Sequence, residues 1–380
     1  MNQKLLLVVN EDRFFLSHRR NIAFAAQKDG WDVAIVCKDT GQRKDVEALG
    51  LKMIDLPINP TGRNFIQELK TCWFLYRLYR KNKGAVVHHV GLKNILWGGL
   101  VAKLVDVHGV VNAVSGLGTL FNGDRPSMVA KVVMLLMRFS NSRKNVMMIF
   151  QNHEDEGLFY KFQVVKPGQS AFIKGSGVDL KDFEYTPDPV MTDDVMHIIF
   201  TARMVREKGV MVLIKAAEKL RKAYEGKIDF WLCGRLSTTP KALTEEELRS
   251  RCDGRYIQWL EFRSDVKNLL QKASIVAFPS WYREGVPKSL IEACAAGRPI
   301  VTCNSIGCKD VVDDGVNGFL IPVRDSDALV DKLRILIEDK ALRIKMGKAA
   351  REKAEREFSL DKVVQKHLEI YQSLISDKAD

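Results

Sequence analysis

The sequence predicts an α/β protein with two domains, each built on a parallel sheet that helices cover on both faces. One observation is length, since 380 residues are more than a single hydrophobic core usually supports. Another is that short apolar runs alternate with helical stretches from end to end. These runs are continuous rather than alternating, which is typical of buried parallel strands. We therefore expect two doubly wound, Rossmann-like domains facing a central cleft, with ligands at the carboxyl ends of the strands.

Nine apolar runs are predicted strands, five in the first half of the chain and four in the second. They are 5–9, 33–37, 85–88, 110–114, 146–150, 198–201, 229–233, 275–278 and 299–302. Residues 185–194 are predicted to link the halves, because they contain two prolines and several acids without periodicity. The predicted domains are 1–187 and 188–358. Apolar residues at 360, 363, 364, 368, 371 and 374 predict that 359–380 is an amphipathic helix packing back on the first domain.

The composition is that of an ordinary globular chain, with 46% hydrophobic and 28% charged residues. It excludes collagen-like, low-complexity and mainly disordered proteins. No apolar run approaches the roughly 18 residues of a membrane-spanning helix. The first apolar run is too short for a signal peptide and is predicted to be a strand. The seven cysteines are scattered, without a C-x-x-C pair. We therefore expect a reducing, cytoplasmic compartment and no structural metal.

Positive charge is concentrated in one part of the chain. Residues 51–150 hold fourteen Lys or Arg against four Asp or Glu, which is most of the net charge of +12. Such an excess favours an anionic partner, namely nucleic acid, an anionic membrane surface or a phosphorylated substrate, although plain solubility would also explain it. Nucleic acid ranks last, because no recognition motif or interleaved stacking aromatics accompany the charge.

A dense cluster of candidate site residues follows the predicted strand at 275–278. A loop is expected there, and then a helix that begins near Lys288 or Ser289. The amides of its first turn would attract phosphate. Glu284 precedes this helix and Glu292 lies about one turn inside it. Carboxylates accept paired hydroxyl donors, so the pattern indicates recognition of a sugar or a ribose.

A second cluster follows the predicted strand at 198–201. Arg203 and Lys208 are expected at the carboxyl end of that strand, where they would clamp a diphosphate. Arg206 and Glu207 are interpreted as solvated loop charges. Together the two clusters predict a site for a phosphorylated sugar.

The two clusters have the spacing R-x(4)-K-G followed by E-G-x-P-x(4)-E-A-x-A-x-G-x-P. This resembles the donor half of family 4 retaining glycosyltransferases of the GT-B fold. The resemblance implies that Arg203 and Lys208 neutralise a leaving diphosphate without a metal ion, and that Glu284 contacts the transferred sugar. The donor-binding residues that it implies are Gly285, Val286, Pro287, Lys288, Ser289, Leu290, Glu292, Phe262 and Arg263. A D-x-D sequence at Asp325–Asp327 resembles a metal motif of another glycosyltransferase fold, but it is interpreted as a helix cap.

One position departs from the family pattern. Many members have glycine where this chain has Glu261, beside the expected nucleobase pocket. A UDP-sugar is the donor that the resemblance implies, and this departure leaves the identity of the base open.

The first half of the chain resembles the capsule, O-antigen and N-glycan assembly branch, which includes enzymes that add N-acetylgalactosamine to lipid-linked diacetylbacillosamine. The acceptor-side or phosphate-loop residues that this implies are Ser17, His18, His88, His89, Lys93, Gly116 and Gly118. Each has an alternative interpretation. The strand histidines can be structural hydrogen-bonding groups, and only one of two neighbours can face the cleft. The glycines can form a plain turn. The lysine can simply solvate a helix start.

Two basic segments, 65–81 and 128–139, are rich in aromatic or long aliphatic residues. They suit the headgroup layer of a membrane, or alternatively the inner cover of the first sheet.

The resemblance as a whole implies a retaining, metal-independent enzyme with an acceptor-binding first domain and a donor-binding second domain. It would move a sugar, with an N-acetylhexosamine as a candidate, from a UDP-sugar to a polyprenyl-diphosphate-linked saccharide during surface polysaccharide or glycan assembly. It would be peripheral on the cytoplasmic face of the inner membrane. Three alternatives stay open: a soluble or lipopolysaccharide-core acceptor, a nucleotide-sugar epimerase or hydrolase that needs no acceptor, and a catalytically silent binding protein.

Overall fold

The computed structural model describes residues 3–60, 62, 64–121, 127–189, 195–237 and 242–376. They form two compact units. The first runs up to Ser176 and also includes the segment from Asp361, and the second runs from Gly177 to Leu360.

The first unit is a seven-stranded sheet whose strand pairs are all parallel, in the order β3-β2-β1-β4-β5-β6-β7. Its strands are β1 (Lys4–Glu11), β2 (Asp32–Lys38), β3 (Lys52–Asp55), β4 (Val86–Val90), β5 (Gly109–Ala113), β6 (Val146–Phe150) and β7 (Ser170–Phe172). Its helices are α1 (Asp12–His18), α2 (Arg20–Lys28), α3 (Arg43–Ala48), α4 (Phe65–Lys81), α5 (Leu92–Val105), α6 (Met128–Ser140) and α7 (His153–Lys161), with a 3₁₀ turn at Gly118–Phe121.

The second unit is a six-stranded parallel sheet in the order β10-β9-β8-β11-β12-β13. Its strands are β8 (Met196–Thr201), β9 (Ile228–Cys233), β10 (Ile257–Trp259), β11 (Ala273–Phe278), β12 (Ile300–Cys303) and β13 (Gly318–Ile321). Its helices are α8 (Val210–Tyr224), α9 (Glu245–Arg249), α10 (Val266–Lys272), α11 (Lys288–Ala295), α12 (Ser326–Glu338) and α13 (Lys340–Lys353). A π-helical turn at Ala354–Phe358 leads to α14 (Leu360–Ser376), which belongs to the first unit from Asp361 onward.

Side chains that alternate along the strands fill two layers of core. On β1, Leu5 and Leu7 pack with α1, α2 and α14, whereas Leu6 and Val8 pack with α4 and α5 on the opposite face. Strand β1 is therefore covered on both faces, which explains its continuous apolar sequence.

Each sheet has one point where the strand order reverses, between β1 and β4 in the first unit and between β8 and β11 in the second. Loops that leave the carboxyl ends of two such strands diverge to opposite sides, and the crevice between them is the usual ligand site of this architecture.

The prediction of two parallel α/β sheets is confirmed, as are all nine predicted strands and the helices that begin at Lys288 and Leu360. Asp325 caps α12 as predicted, since its carboxylate accepts the amides of Asp327 and Ala328 at 3.0 and 2.9 Å. Within the described ranges no helix combines the length and apolar character needed to cross a bilayer.

The boundary between the units lies at Ser176, before the position that the sequence indicates. Residues 185–189 of the predicted linker belong to the second unit. Arg298 donates to the Thr186 carbonyl at 2.7 Å, and the Tyr185 ring lies against Gly297. These contacts tie the segment to the end of α11. Residues 190–194 of the predicted linker lie outside the described residues.

Helix α14 packs on the first unit around a buried group of titratable side chains. The Tyr371 hydroxyl is hydrogen-bonded to His88 Nδ1 at 2.6 Å, and the His367 ring stacks on His88 with 5.7 Å between centroids. Arg19 lies 3.5 Å from His367 Nε2. Burial lowers the pKa of His367 to about 3 and holds the pKa of His88 well below its ordinary value. Both rings are therefore neutral in the folded protein.

We predict that the free energy of unfolding falls as pH decreases below about 6.5, because unfolded histidines take up protons that the buried ones refuse. His367→Gln removes one such group, so the slope should decrease by up to about 1.4 kcal/mol per pH unit. Denaturant unfolding at pH 7, 6 and 5 measures this. The wild type, measured at the same three pH values, is the reference. An unchanged slope in His367→Gln would contradict the assignment.

Candidate active site

The switch point of the second sheet brings two loops together. Residues 202–209 follow β8 and residues 279–287 follow β11. The amides of Trp281 and Tyr282 both donate to the Glu207 carbonyl, at 2.9 and 3.1 Å. The second loop is therefore fixed to the first by its backbone.

Two glycines permit close packing around the second loop, one on the first loop and one on the segment that follows β12. Gly209 has φ +85°, and a Cβ there would lie 2.0 Å from the Pro279 carbonyl oxygen. Gly307 has φ +87°, and a Cβ there would lie 1.9 Å from the Gly285 carbonyl oxygen. No other residue fits either position, because both the backbone angle and the space exclude a side chain.

An ion pair joins the two loops. The ammonium of Lys208, a residue that is only 7% exposed, donates to Glu284 Oε1. The ammonium also lies 5.1 Å from the centre of the Phe278 ring and 5.8 Å from that of Tyr282. Attraction to the ring faces adds to the carboxylate in stabilising the buried charge. The sequence motif identified Lys208 and Glu284, but not the two aromatic residues. Phe278 ends β11, and Tyr282 lies in the loop that follows it.

The remaining charges of the loop after β8 differ in their surroundings. Arg203 is exposed and makes no side-chain hydrogen bond or ion pair within the described parts of the chain. Arg206 points elsewhere and pairs with Glu247 at 2.6 Å, which agrees with its interpretation as a surface charge. The structure thus places one free and one paired cation, Arg203 and Lys208, on the same loop.

Helix α11 begins directly after the second loop. Pro287 occupies its N-cap position, and no side chain of the described residues caps its amides. Glu292 lies one turn inside, where Lys288 Nζ approaches its Oε1 at 3.3 Å. Burial raises the pKa of Glu292, and the charge of Lys288 opposes this shift only in part. The arrangement offers amide donors to an anion and a carboxylate that hydroxyl donors would stabilise.

Glu261 stands where the family pattern often has glycine, and its backbone conformation explains that preference. Its φ is +55°, in the left-handed region. Its carbonyl accepts the Gly234 amide at 2.7 Å, which fixes this conformation, and its carboxylate pairs with Arg249 at 2.7 Å. The chain thus keeps the turn at the expense of local strain.

The two predicted donor-binding residues that follow have partners of their own. Phe262 is 55% exposed, and the guanidinium of Arg235 lies 3.8 Å from the centre of its ring. Arg263 forms a two-pronged ion pair with Asp265, at 2.8 and 2.7 Å. The Phe262 ring is therefore accessible to a ligand, whereas the Arg263 guanidinium is occupied locally.

His88 and His89 are not at an open edge of the first sheet, contrary to their predicted acceptor-side role. Both are fully buried. His88 is bonded to Tyr371, and His89 is held between the Tyr79 hydroxyl and Asn112 Oδ1, at 2.8 Å from each. Both side chains are structural hydrogen-bonding groups.

Lys93 is likewise engaged within the protein. Its ammonium pairs with Glu68 at 2.6 Å and donates to the carbonyls of Asn59 and Gly62 at 2.5 and 2.9 Å. All three protons of the ammonium are used within the protein. Lys93 therefore joins α4, α5 and the loop after β3, in place of its predicted role in holding a phosphate.

The remaining predicted acceptor-side residues belong to the segments that follow β1 and β5 of the first sheet. Ser17 and His18 end α1, where Ser17 Oγ is 2.7 Å from His18 Nδ1 and the His18 ring stacks on Phe14. Gly116 and Gly118 follow β5 with φ of +112° and +55°. Their roles stay predictions.

An asparagine pair, absent from the predicted site residues, lies at the switch point of the first sheet. Asn94 Nδ2 donates to Asn10 Oδ1 at 2.9 Å, and Asn94 Oδ1 is buried without a hydrogen-bond partner among the described residues. The sequence shows Asn10 directly after a predicted strand and Asn94 near the start of a helix, which is the only pattern that could have indicated this pair.

Comparison with known proteins gives concordant results for both units. The family model "Glycosyl transferase 4-like" matches residues 4–152, and "Glycosyl transferases group 1" matches residues 187–353. The N,N'-diacetylbacillosaminyl-diphospho-undecaprenol alpha-1,3-N-acetylgalactosaminyltransferase of Campylobacter jejuni is 26% identical over 95% of this chain and 96% of its own. The UDP-Gal:alpha-D-GlcNAc-diphosphoundecaprenol alpha-1,3-galactosyltransferase of Escherichia coli is 25% identical over 92% of this chain and 90% of its own. The Anabaena protein HepE, solved in complex with UDP and glucose, has a TM-score of 0.76 at 17% identity, covering 98% of this chain and 100% of its own.

We predict that Glu261→Gly stabilises the second unit relative to Glu261→Ala by about 1 kcal/mol, because only glycine relieves the left-handed strain. Both variants lose the exposed ion pair with Arg249, so the alanine variant is the matched control. Denaturant unfolding of the two proteins measures the difference. Equal stability would show that the backbone at this position is not strained.

Proposed function

Because the chain is a group 1 (family 4) glycosyltransferase of the GT-B fold, in a retaining and metal-independent family, we propose that it transfers a sugar from a UDP-sugar to a polyprenyl-diphosphate-linked saccharide. The observation that carries this proposal is the Lys208–Glu284 ion pair on two interlocked loops at the switch point of the second sheet. It places a fixed cation and a carboxylate beside the amides that begin α11.

In this proposal the second unit binds the donor. The diphosphate lies at the N-terminus of α11, between Arg203 and Lys208, and the backbone N–H groups of residues 285, 286, 288 and 289 contact the phosphate and the sugar. Pro287 has no N–H, and the Leu290 N–H donates to the Pro287 carbonyl at 3.1 Å. Glu292 accepts the ribose hydroxyls, which stabilise its carboxylate against the desolvation that raises its pKa. Glu284 contacts the transferred sugar. The Phe262 ring borders the nucleobase.

Catalysis then depends on stabilising the leaving diphosphate. A bond forms between the acceptor oxygen and the anomeric carbon on the face from which UDP departs, and the bond to the β-phosphate oxygen breaks. The acceptor hydroxyl proton passes to that phosphate oxygen, so no side chain has to act as a nucleophile. Lys208 is held by Glu284 before charge develops, which makes its electrostatic contribution large, and the exposed Arg203 adds a second cation on the same loop.

The first unit binds the acceptor in this proposal, with Ser17, His18, Gly116 and Gly118 as contacts. The relatives from C. jejuni and E. coli are named for substrates linked to undecaprenol through a diphosphate, which supports a lipid-linked acceptor and a role in surface polysaccharide or glycan assembly. The basic first unit suits an anionic membrane surface, so we place the enzyme at the cytoplasmic face of the membrane.

The proposal is tested by measuring UDP release from a panel of UDP-sugars, with and without a detergent extract that contains lipid-linked saccharides. Release that needs one donor and the extract supports the proposal and identifies the sugar. Full activity on short water-soluble saccharides would favour the soluble or lipopolysaccharide-core acceptor. Release without any acceptor would favour an epimerase or a hydrolase.

We predict that Arg203→Ala lowers kcat by about 10²–10³, by analogy with the loss of one hydrogen-bond donor to the transition state. Arg206→Ala is the matched control, because that residue lies on the same loop but pairs with Glu247, and it should retain near-normal activity. Steady-state UDP release measures both variants. Normal turnover by Arg203→Ala would contradict the role of this residue.

We predict that Glu292→Gln separates stability from donor binding. Burial raises the pKa of Glu292. Its ionised form therefore lowers the free energy of unfolding once pH exceeds the pKa of an ordinary glutamate, and the neutral variant should be more stable at pH 7. Loss of a charged acceptor for ribose should weaken UDP binding by about tenfold or more. Thermal unfolding and calorimetric titration with UDP measure the two effects. Unchanged UDP affinity would remove Glu292 from the site.

A further inference from the structure

Two helices of the first unit carry an outer row of exposed apolar side chains. Fifteen large hydrophobic residues are exposed in the described parts of the chain, and nine of them lie on α4 and α6. We call these nine residues the α4–α6 face: Phe65, Ile66, Leu69 and Trp73 on α4, and Met128, Val129, Val132, Leu135 and Phe139 on α6. Such clustering on an otherwise ordinary surface marks an interaction site.

The α4–α6 face is distinct from the buried side of the same helices. Helix α5 packs between α4 and α6 on one side of the sheet. The inner side of α4 is already filled by Leu75 and Tyr79, and that of α6 by Met134 and Met137. The exposed residues therefore do not serve as cover for the first sheet, because other residues of these helices do so.

Charge on the two helices indicates what the face contacts. Exposed cations accompany its apolar residues: Lys70 on α4 and Lys131 and Arg138 on α6 lie among them, and Arg77, Arg80 and Lys81 follow Trp73 in the last part of α4. Helix α6 contains no acidic residue. The acid of α4 is Glu68, which is buried and paired with Lys93. Two copies of this face would bring cations against cations, whereas an anionic lipid surface complements both the charge and the apolar row.

We propose that the α4–α6 face docks on an anionic lipid bilayer, with its apolar side chains in the interfacial layer and its cations at the headgroups. The first turns of the two helices carry the highest exposure, 68% at Phe65 and 74% at Met128. In a parallel sheet with helical crossovers, helices begin at the carboxyl edge of the strands. The clamp between Lys93 and Glu68 fixes the start of α4 to that of α5. Docking therefore brings the carboxyl edge of the first sheet to the headgroups. The use of this placement, to meet a lipid-linked acceptor, rests on the proposed function.

The test uses the full chain and vesicles without any saccharide-linked lipid, made of phosphatidylcholine with or without phosphatidylglycerol. Co-sedimentation should show binding that needs phosphatidylglycerol and weakens with added salt, because salt screens the attraction. The double variant Ile66→Ser/Val129→Ser should bind on the order of tenfold more weakly, and Arg77→Gln or Lys131→Gln about fivefold more weakly. The matched control is Val316→Ser, which alters an apolar residue that is 55% exposed in the second unit and should bind as the wild type does. Equal thermal unfolding temperatures show that all variants are folded.

Other outcomes would overturn the proposal. Failure of the wild type to bind, or equal binding with and without phosphatidylglycerol, contradicts docking on anionic lipid. Self-association in sedimentation velocity that the double variant abolishes would assign the face to a second copy of the chain. Transfer to the lipid-linked saccharide in detergent without vesicle binding would refute docking and leave the proposed function intact. Vesicle binding without transfer would refute the function and leave docking intact.

Discussion

The ion pair between Lys208 and Glu284 is the interaction on which the proposed site depends. A buried ammonium is expensive unless it is paired, and here the carboxylate and two aromatic rings surround it. The pair joins the loops that follow β8 and β11, and Gly209 lets these loops approach within contact distance. The cation is therefore held at the switch point before any ligand arrives. A diphosphate at α11 would meet a preorganised positive site, which is the condition for electrostatic catalysis.

The central strands were predictable from the sequence, whereas the edge strands were not. Because helices cover both faces of a central strand, its residues form a continuous apolar run that is visible without other information. The four strands that the sequence did not predict are β3, β7, β10 and β13, and each lies at an edge of its sheet. They are three or four residues long and partly exposed. Only pairing with a neighbouring strand distinguishes them from loops.

The donor side was predictable because its chemistry is local in the sequence. Lys208, Glu284 and the start of α11 each follow a recognisable strand within a few residues. The first unit was harder, because the partners of its polar side chains are distant. His88 is bonded to Tyr371, 283 residues away, and Lys93 pairs with Glu68 on a different helix. A histidine or lysine at a strand end has the same sequence signal whether it contacts a ligand or the protein interior.

In the proposed function, the loops of the second unit that follow β8 and β11 hold the donor diphosphate. A crystal structure of the chain with UDP tests this placement. We predict that the β-phosphate contacts the amides at the start of α11 and lies within hydrogen-bond distance of Lys208 Nζ, with the ribose hydroxyls on Glu292. A diphosphate bound away from both loops, with Lys208 still paired to Glu284 alone, would contradict the account.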